Sequence, residues 1–298
     1  MMNSSPQRPF GTLLTAMVTP FAEDGSVDYV RAAELARFLV AQGHDGLIVN
    51  GTTGESPTTT DSEKSQLVQT VCAAVAGQAH VLAGVGTNDT RHSVELAHAA
   101  KQAGATGLLV VTPYYSKPPQ TGLIAHFTAI ADATDLPVML YDIPGRTAVA
   151  IEPQTFAVLA QHPRIVANKD AKGDVAAAEA VIADTGLPWY SGDDILTLDL
   201  LRVGAVGVVS VVGHIVGRRI AEMIAAYDSG EQSRAQEIHD SLLPVFTGMF
   251  RTQGVILTKA ALAMLGQPVG GVRLPLVPAT PMQVDQLRED LLAGGVTL

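Results

Sequence analysis

Short apolar runs recur along the chain, and each is followed by a stretch with helical spacing. The runs are rich in leucine and β-branched residues and are bounded by Gly, Pro or Asp. Near-continuous apolar runs of this kind are typical of parallel strands that are covered on both faces. The predicted strands are 13–18, 46–50, 80–85, 107–111, 137–141, 164–168, 188–191 and 205–211.

The spacing of these runs predicts the fold class. The runs start about every 27 residues, a βαβ pitch rather than a hairpin pitch. Eight units predict an α/β fold, a (β/α)8 TIM barrel. A doubly wound open sheet also alternates strands and helices. It is disfavoured because there are eight units and no dinucleotide fingerprint follows the first strand. Gly84 and Gly86 do not form one either, because position 89, where the third glycine is needed, is Asp89. Predicted helices lie at 30–41, 62–75, 93–103, 122–133 and 174–185.

Beyond the eighth run only helical patterns remain. One helix completes the barrel, and we expect two or three further helices after it. The predicted organisation is an N-terminal tail at 1–10, a catalytic barrel at 11–230 and a C-terminal helical extension at 231–298.

Composition narrows the class of protein. Of 298 residues, 19 are basic and 29 acidic, which gives a net charge of −10 and argues against a nucleic-acid binder. Only 16% of residues are charged, which suggests that further surface is buried between subunits. The single cysteine, Cys72, excludes an intrachain disulfide and a cysteine-based metal cluster. With no signal-peptide pattern and no long apolar span, we expect a cytoplasmic protein that does not bind membranes.

Lys169 is the most informative reactive residue, because active sites of such barrels lie where the strands end. It follows the run that begins at Ile165, and strand alternation would place Ile165, Ala167 and Lys169 on the lumen side. A desolvated amine favours its neutral form, which can attack a carbonyl to form a Schiff base. The other interpretation is a lysine that pairs with Asp170 in solvent.

Tyr141 and Arg146 follow the fifth run, next to the strand of Lys169. The Tyr141 phenol could donate and accept protons in a Schiff-base cycle, or it could simply pack under a loop. The Arg146 guanidinium offers a fork for a substrate carboxylate, or it could anchor the loop through a salt bridge.

Two further loops carry candidate groups. Thr52 and Thr53 lie between glycines after the second run, and could hold a carboxylate or relay a proton. The same turn could equally be an ordinary connection. Tyr114 and Tyr115 are adjacent, so they should point in different directions, and one of them cannot serve its own barrel. Aromatic packing in a proline-rich loop is the alternative.

A metal site is not expected. Asp193, Asp194 and Asp199 are close in sequence, but no histidine or carboxylate follows another strand at ligand spacing. Asp193 or Asp194 is equally well interpreted as a helix N-cap.

Five motifs stand in order after successive strands and together resemble a known family. They are GTTGE at 51–55, VTPYY at 111–115, YDIPGRT at 141–147, KDAKGD at 169–174 and SGDD at 191–194. They resemble the pyruvate-dependent Schiff-base aldolases and, within them, the dihydrodipicolinate synthases of actinobacterial type. The resemblance covers the chain from about residue 11 to its end.

The resemblance implies condensation of pyruvate with L-aspartate 4-semialdehyde in diaminopimelate and lysine biosynthesis, with no metal or exogenous cofactor. It implies a homotetramer built as a dimer of dimers, in which Tyr115 reaches the neighbouring active site. The implied catalytic residues are Lys169 as the Schiff-base lysine and Tyr141, Thr52 and Tyr115 as a proton relay. The implied binding groups are Thr53 and the Val209 backbone for pyruvate and Arg146 for the semialdehyde carboxylate.

One departure concerns regulation. Relatives that lysine inhibits bind it in a dimer cleft with histidines and a glutamate at positions that match Asp61, Lys64 and His92. Here Lys64 would repel a lysine ammonium group and the glutamate is replaced by His92, although Ser56, Asn88 and Tyr114 are kept. We predict little or no inhibition by lysine.

Two other functions remain open. One is an N-acetylneuraminate or 2-keto-3-deoxy-sugar-acid aldolase that uses the same lysine; Arg146 and Tyr115 suit a short carboxylated aldehyde better. The other is a catalytically silent barrel that acts as a binding subunit, against which the joint retention of the reactive residues argues.

Overall fold

The computed structural model describes residues 7–298 as eight parallel strands and twelve α-helices. The strands form a closed barrel in sequence order, in which β1 pairs with both β2 and β8. The TIM-barrel prediction is therefore confirmed, and the ends of each strand match those of its predicted run to within two residues. The strands are β1 Leu13–Ala16, β2 Gly46–Val49, β3 His80–Gly84, β4 Gly107–Val111, β5 Val138–Asp142, β6 Ile165–Asp170, β7 Trp189–Ser191 and β8 Gly207–Ser210.

The helices alternate with the strands and then continue alone. Three short helices, α5, α6 and α8, were not predicted because four to seven residues are too few to establish a helical period. The helices are α1 Tyr29–Ala41, α2 Asp61–Val75, α3 Thr90–Gln102, α4 Gln120–Ala133, α5 Pro144–Thr147, α6 Pro153–Leu159, α7 Val175–Thr185, α8 Thr197–Arg202, α9 Gly213–Asp228, α10 Gln232–Gly248, α11 Gly254–Met264 and α12 Pro281–Ala293.

Local sequence signals explain where several helices begin and end. Thr60 and Glu63 form a reciprocal capping box at the start of α2, which satisfies two free N–H groups. Asp174 caps α7 by accepting a hydrogen bond from the Ala177 N–H. Gly186 ends α7 with a φ of 65°, a left-handed conformation that glycine adopts without steric penalty.

Three apolar clusters hold the layers together. One lies between the strands and the surrounding helices, and a second fills the lumen with side chains such as Leu14, Ile48 and Met139. The third joins Leu13 and Val208 of the barrel to the helices that follow β8. Because α10, α11 and α12 share this third cluster with the barrel, we propose that 231–298 is an extension of the barrel domain.

The sixth strand departs from simple alternation. Val138 pairs with Ile165 but Met139 pairs with Ala167, so an extra residue of β6 is left opposite β5. As a result Ile165 joins the cluster between strands and helices, while Ala167 lies in the lumen cluster. The expectation that Ile165 faces the lumen is therefore wrong.

No helix in residues 7–298 is both long enough and apolar enough to cross a membrane.

Candidate active site

The centre of the candidate site is a buried lysine against a tyrosine ring. Lys169 and Tyr141 pair across β5 and β6, and the Lys169 ammonium lies 4.2 Å from the centre of the Tyr141 ring. Lys169 is 4% exposed and Tyr141 5%. The interpretation of Lys169 as a solvent lysine paired with Asp170 is therefore wrong. Strand pairing places the amine and the phenol on the same side of adjacent strands.

The next residue on each strand faces the other way. The buried Asp170 carboxylate accepts hydrogen bonds from the Trp189 indole at 3.0 Å and the Lys172 N–H at 2.7 Å. Asp142 accepts one from the Ile151 N–H at 3.2 Å and lies 3.5 Å from the Lys172 ammonium. Burial raises the pKa of Asp142 to about 6, against the opposing pull of Lys172. These contacts fix the strand ends that carry Tyr141 and Lys169.

Thr52 and Thr53 lie in a compact turn after β2. The turn is closed by two backbone bonds, from Gly54 N–H to the Gly51 carbonyl at 3.0 Å and from Glu55 N–H to the Thr52 carbonyl at 3.1 Å. Thr53 is buried and Thr52 half-buried. A Cβ on Gly84 of β3 would overlap the Asn50 carbonyl, so a glycine is needed for the close approach to this turn.

Val209 lies in β8, two strands from β2 around the barrel, and is fully buried within the lumen cluster. The turn that follows is held by Asp194, whose carboxylate accepts from the Ser210 hydroxyl and from the N–H groups of Val211 at 3.0 Å and Val212 at 3.2 Å. Burial raises the pKa of Asp194 to about 6, although these hydrogen bonds lower it. Asp194 therefore fixes the chain beside Val209.

The sequence did not reveal this role of Asp194. Asp193 holds the N-cap position of the short 3-10 helix at Asp194–Leu196, without a side-chain cap hydrogen bond, whereas the Asp194 side chain accepts from the turn after β8. The buried N–H groups of the strand-to-helix turn after β8 could have suggested this role, because such groups need a hydrogen-bond acceptor.

Tyr115 and Arg146 are both exposed in the chain. Tyr115 is 91% exposed with a left-handed φ of 73°, whereas Tyr114 is only 37% exposed. Arg146 is an exposed residue of the short helix α5. No carboxylate in residues 7–298 lies within 4.0 Å of its guanidinium, which contradicts the alternative of a loop-anchoring salt bridge within the chain.

A cavity of about 420 Å³ opens beside these groups. It is lined by three predicted site residues, Thr52, Tyr141 and Arg146, and continues to Lys64 and His92. Lys169, Thr53, Val209 and Tyr115 are not part of its lining. The fold thus brings Lys169, Tyr141 and Thr52 towards one end of the lumen but leaves Tyr115 facing outward from the chain.

The described residues contain no group of three or more His, Cys, Asp or Glu side chains that could hold a metal ion. The predicted site residues supply hydroxyls, the Lys169 amine and the Arg146 guanidinium, a set of donors suited to organic anions.

Comparison with known proteins gives a consistent result. Residues 9–293 match the model of the dihydrodipicolinate synthetase family. The 4-hydroxy-tetrahydrodipicolinate synthase 2 of Streptomyces coelicolor is 63% identical over 99% of both chains. The lysine-bound dihydrodipicolinate synthase of Cyanidioschyzon merolae aligns with a TM-score of 0.95 at 44% identity, over 98% of this chain and all of that one. A Bacillus anthracis dihydrodipicolinate synthase gives 0.94 at 43% identity, over 96% and 99% of the two chains. The chain therefore belongs to the dihydrodipicolinate synthetase family.

Proposed function

We propose that the protein condenses pyruvate with L-aspartate 4-semialdehyde to 4-hydroxy-tetrahydrodipicolinate, in diaminopimelate and lysine biosynthesis. The observation that carries the proposal is the buried contact between Lys169 and Tyr141 at the carboxyl ends of β5 and β6. Full-length relatives that bear the name of this synthase support it. No comparable observation favours a sugar-acid aldolase or a silent barrel.

The first half of the reaction makes a nucleophile from pyruvate. The neutral amine of Lys169 adds to the pyruvate carbonyl carbon, and loss of water gives a protonated imine. This imine is an electron sink that acidifies the methyl group, and loss of a methyl proton leaves an enamine. Tyr141 stands close enough to move protons to and from these intermediates, and Thr52 would extend the relay towards Tyr115 of a neighbouring subunit.

The second half joins the substrates and frees the enzyme. The enamine carbon attacks the aldehyde carbon, whose oxygen takes a proton and becomes the hydroxyl of the product. The amino group of the semialdehyde then adds to the imine carbon and displaces the Lys169 amine, which closes a six-membered ring. Thr53 and the Val209 backbone would hold the pyruvate carboxylate, and Arg146 the semialdehyde carboxylate.

The net charge of −10 attracts neither anionic substrate over a distance, so recognition must be local. The exposed guanidinium of Arg146 fits that task. The exposed Tyr115 fits an assembly in which it enters the active site of a second copy. We also propose a homotetramer and a cytoplasmic location, as expected from the sequence.

Borohydride reduction in the presence of pyruvate tests the proposal. We expect a reduced pyruvate adduct on the peptide that contains Lys169, and its loss in Lys169→Met. Lys101→Met is the matched control, because it removes a surface amine that pairs with Asp135 and should leave the adduct in place. An unlabelled wild-type Lys169, or turnover of N-acetylneuraminate in preference to aspartate semialdehyde, would contradict the proposal.

A further inference from the structure

A buried carboxylate stands directly behind the threonine turn. Glu55 follows Gly54, has a left-handed φ of 55°, and its side chain is 1% exposed. A left-handed conformation is uncommon for a residue other than glycine, and it persists only where surrounding contacts impose it. Glu55 is thus held in place by its neighbours in the fold.

Those neighbours belong to the C-terminal extension. Lys259 of α11 brings its ammonium to 2.7 Å from one Glu55 carboxylate oxygen, and the Arg273 N–H donates to the other at 2.9 Å. The same ammonium donates to the Gly271 carbonyl at 2.6 Å and lies 4.2 Å from the centre of the Phe21 ring. Lys259 is 4% exposed, so these partners replace the water around its charge.

Arg273 closes the other side of the same cluster. Its guanidinium donates to the Thr58 carbonyl at 2.8 Å and forms a bidentate pair with Glu63, at 2.6 Å and 2.9 Å. The hydrogen bonds from Arg273 hold the pKa of Glu63 at about 2, well below its usual range. Both sides of the segment that follows the threonine turn are therefore tied to the extension.

The connection to the reaction runs through the backbone. The Glu55 N–H donates to the Thr52 carbonyl at 3.1 Å, so the conformation of Glu55 determines where the turn holds Thr52. We infer that Lys259 is a positioning residue for Thr52 and acts through Glu55. The inference rests on the proposed function, in which Thr52 relays protons to Tyr141. A displacement of about 1 Å in such a relay is enough to lower a rate substantially.

A double-mutant cycle tests the inference. Lys259→Met, Thr52→Val and the combined variant are compared with wild type for kcat and for the KM of pyruvate. We expect Lys259→Met alone to lower kcat about tenfold with KM changed less than about threefold. On the Thr52→Val background it should lower kcat by no more than about twofold, because the group that it positions is already gone. A tenfold loss on both backgrounds would overturn the inference.

Two further variants separate positioning from folding. Glu55→Gln combined with Lys259→Met leaves no unpaired buried charge, and we expect the same fall in kcat; a wild-type kcat would contradict positioning. Arg251→Met is the matched control, since Arg251 pairs with Asp290 at 2.7 Å within the extension. It should lower Tm but keep kcat within about twofold of wild type. A fall as large as that of Lys259→Met would make the effect a general one and overturn the inference. An inactive wild-type enzyme would instead refute the proposed function.

Discussion

The two ends of the barrel are built in contrasting ways. At the amino ends of the strands the lumen is closed by Phe10, which is 1% exposed. The Tyr190 hydroxyl accepts from the Phe10 N–H at 3.3 Å and donates to the Gly11 carbonyl at 3.0 Å. Asp45 accepts hydrogen bonds from the N–H groups of Thr12 and Leu13. The lumen is therefore closed at this end, and these polar groups form hydrogen bonds with one another.

The carboxyl ends of the strands show the opposite features. In the described chain six residues other than glycine have a positive φ, and five of them lie in loops that follow a strand at this end: Asn50, Glu55, Tyr115, Lys117 and Ala148. Uncommon backbone conformations cost free energy and tend to gather where function requires them. The open cavity, the exposed Arg146 and the exposed Tyr115 lie on this side as well. The amino end of the barrel is thus built for stability and the carboxyl end for the reaction.

A tyrosine-to-phenylalanine substitution at each end should give the largest difference between an effect on kcat and an effect on Tm. Tyr141→Phe removes a phenol beside Lys169 and retains the ring. We expect kcat to fall by about 10²- to 10³-fold, the range for loss of a general acid–base group, with little change in Tm. Steady-state kinetics and thermal unfolding of the same preparation provide both measurements.

Tyr190→Phe is the matched control at the closed end. It leaves the Phe10 N–H and the Gly11 carbonyl without a partner, which should reduce stability by about 2 kcal/mol and lower Tm by several degrees. We expect kcat within about twofold of wild type. A large loss of activity in Tyr190→Phe, or a large loss of stability in Tyr141→Phe, would break the distinction between the ends.

The barrel was easier to predict than the geometry of its open end. The repeated apolar runs led to eight strands in the correct places because burial on both faces leaves a periodic pattern in the sequence. Lys169 and Tyr141 stood out because polar residues that end apolar strands are few, and the structure places both at adjacent strand ends. One inserted residue in β6 was enough to turn Ile165 to the other face, and no periodic pattern marks such an insertion.

The supporting contacts could not be predicted because they join distant parts of the chain. Glu55 and Lys259 are about 200 positions apart, and nothing in either local sequence indicates the other. Asp194 was considered as a helix cap and rejected as a metal ligand, and its role in the turn was missed because the N–H groups after β8 become its neighbours only when the barrel closes. Local sequence patterns therefore predict which reactive residues end the strands. Only the folded barrel determines which side chains contact and position those residues.

Asp142 should make a smaller, pH-dependent contribution to stability at the open end. Its pKa is raised from an ordinary value near 3.8 to about 6, so the folded protein binds this proton more tightly than the unfolded chain. Its contribution to stability is therefore present below about pH 4 and is lost as the pH rises through about 6, a loss of about 1 kcal/mol between pH 5 and pH 7.5. Asp142→Asn has no such proton. We expect the Tm of the variant relative to wild type to rise by about 2 °C over that interval.

The control for this pH effect is Asp170→Asn, measured in the same way. Burial also raises the pKa of Asp170, so the sign should be the same. A relative Tm of Asp142→Asn that falls as the pH rises would show that Lys172 outweighs burial and that this strand end is stabilised by its charge.

The smallest expected effect is the response to lysine, at the outer part of the cavity. Asp61 is the one carboxylate among the cavity-lining residues that the structure describes, and it already lies 2.9 Å from His92 and 3.9 Å from the Lys64 ammonium. A lysine ammonium would meet a like charge there without a free carboxylate to balance it, which is a repulsive element against that ligand. We expect 1 mM lysine to lower the initial rate by less than about 10%. Lys64→His combined with His92→Glu removes the ammonium and supplies a carboxylate, so inhibition should become measurable in that variant. Strong inhibition of the wild type by submillimolar lysine would show that the open end accepts a cation despite Lys64.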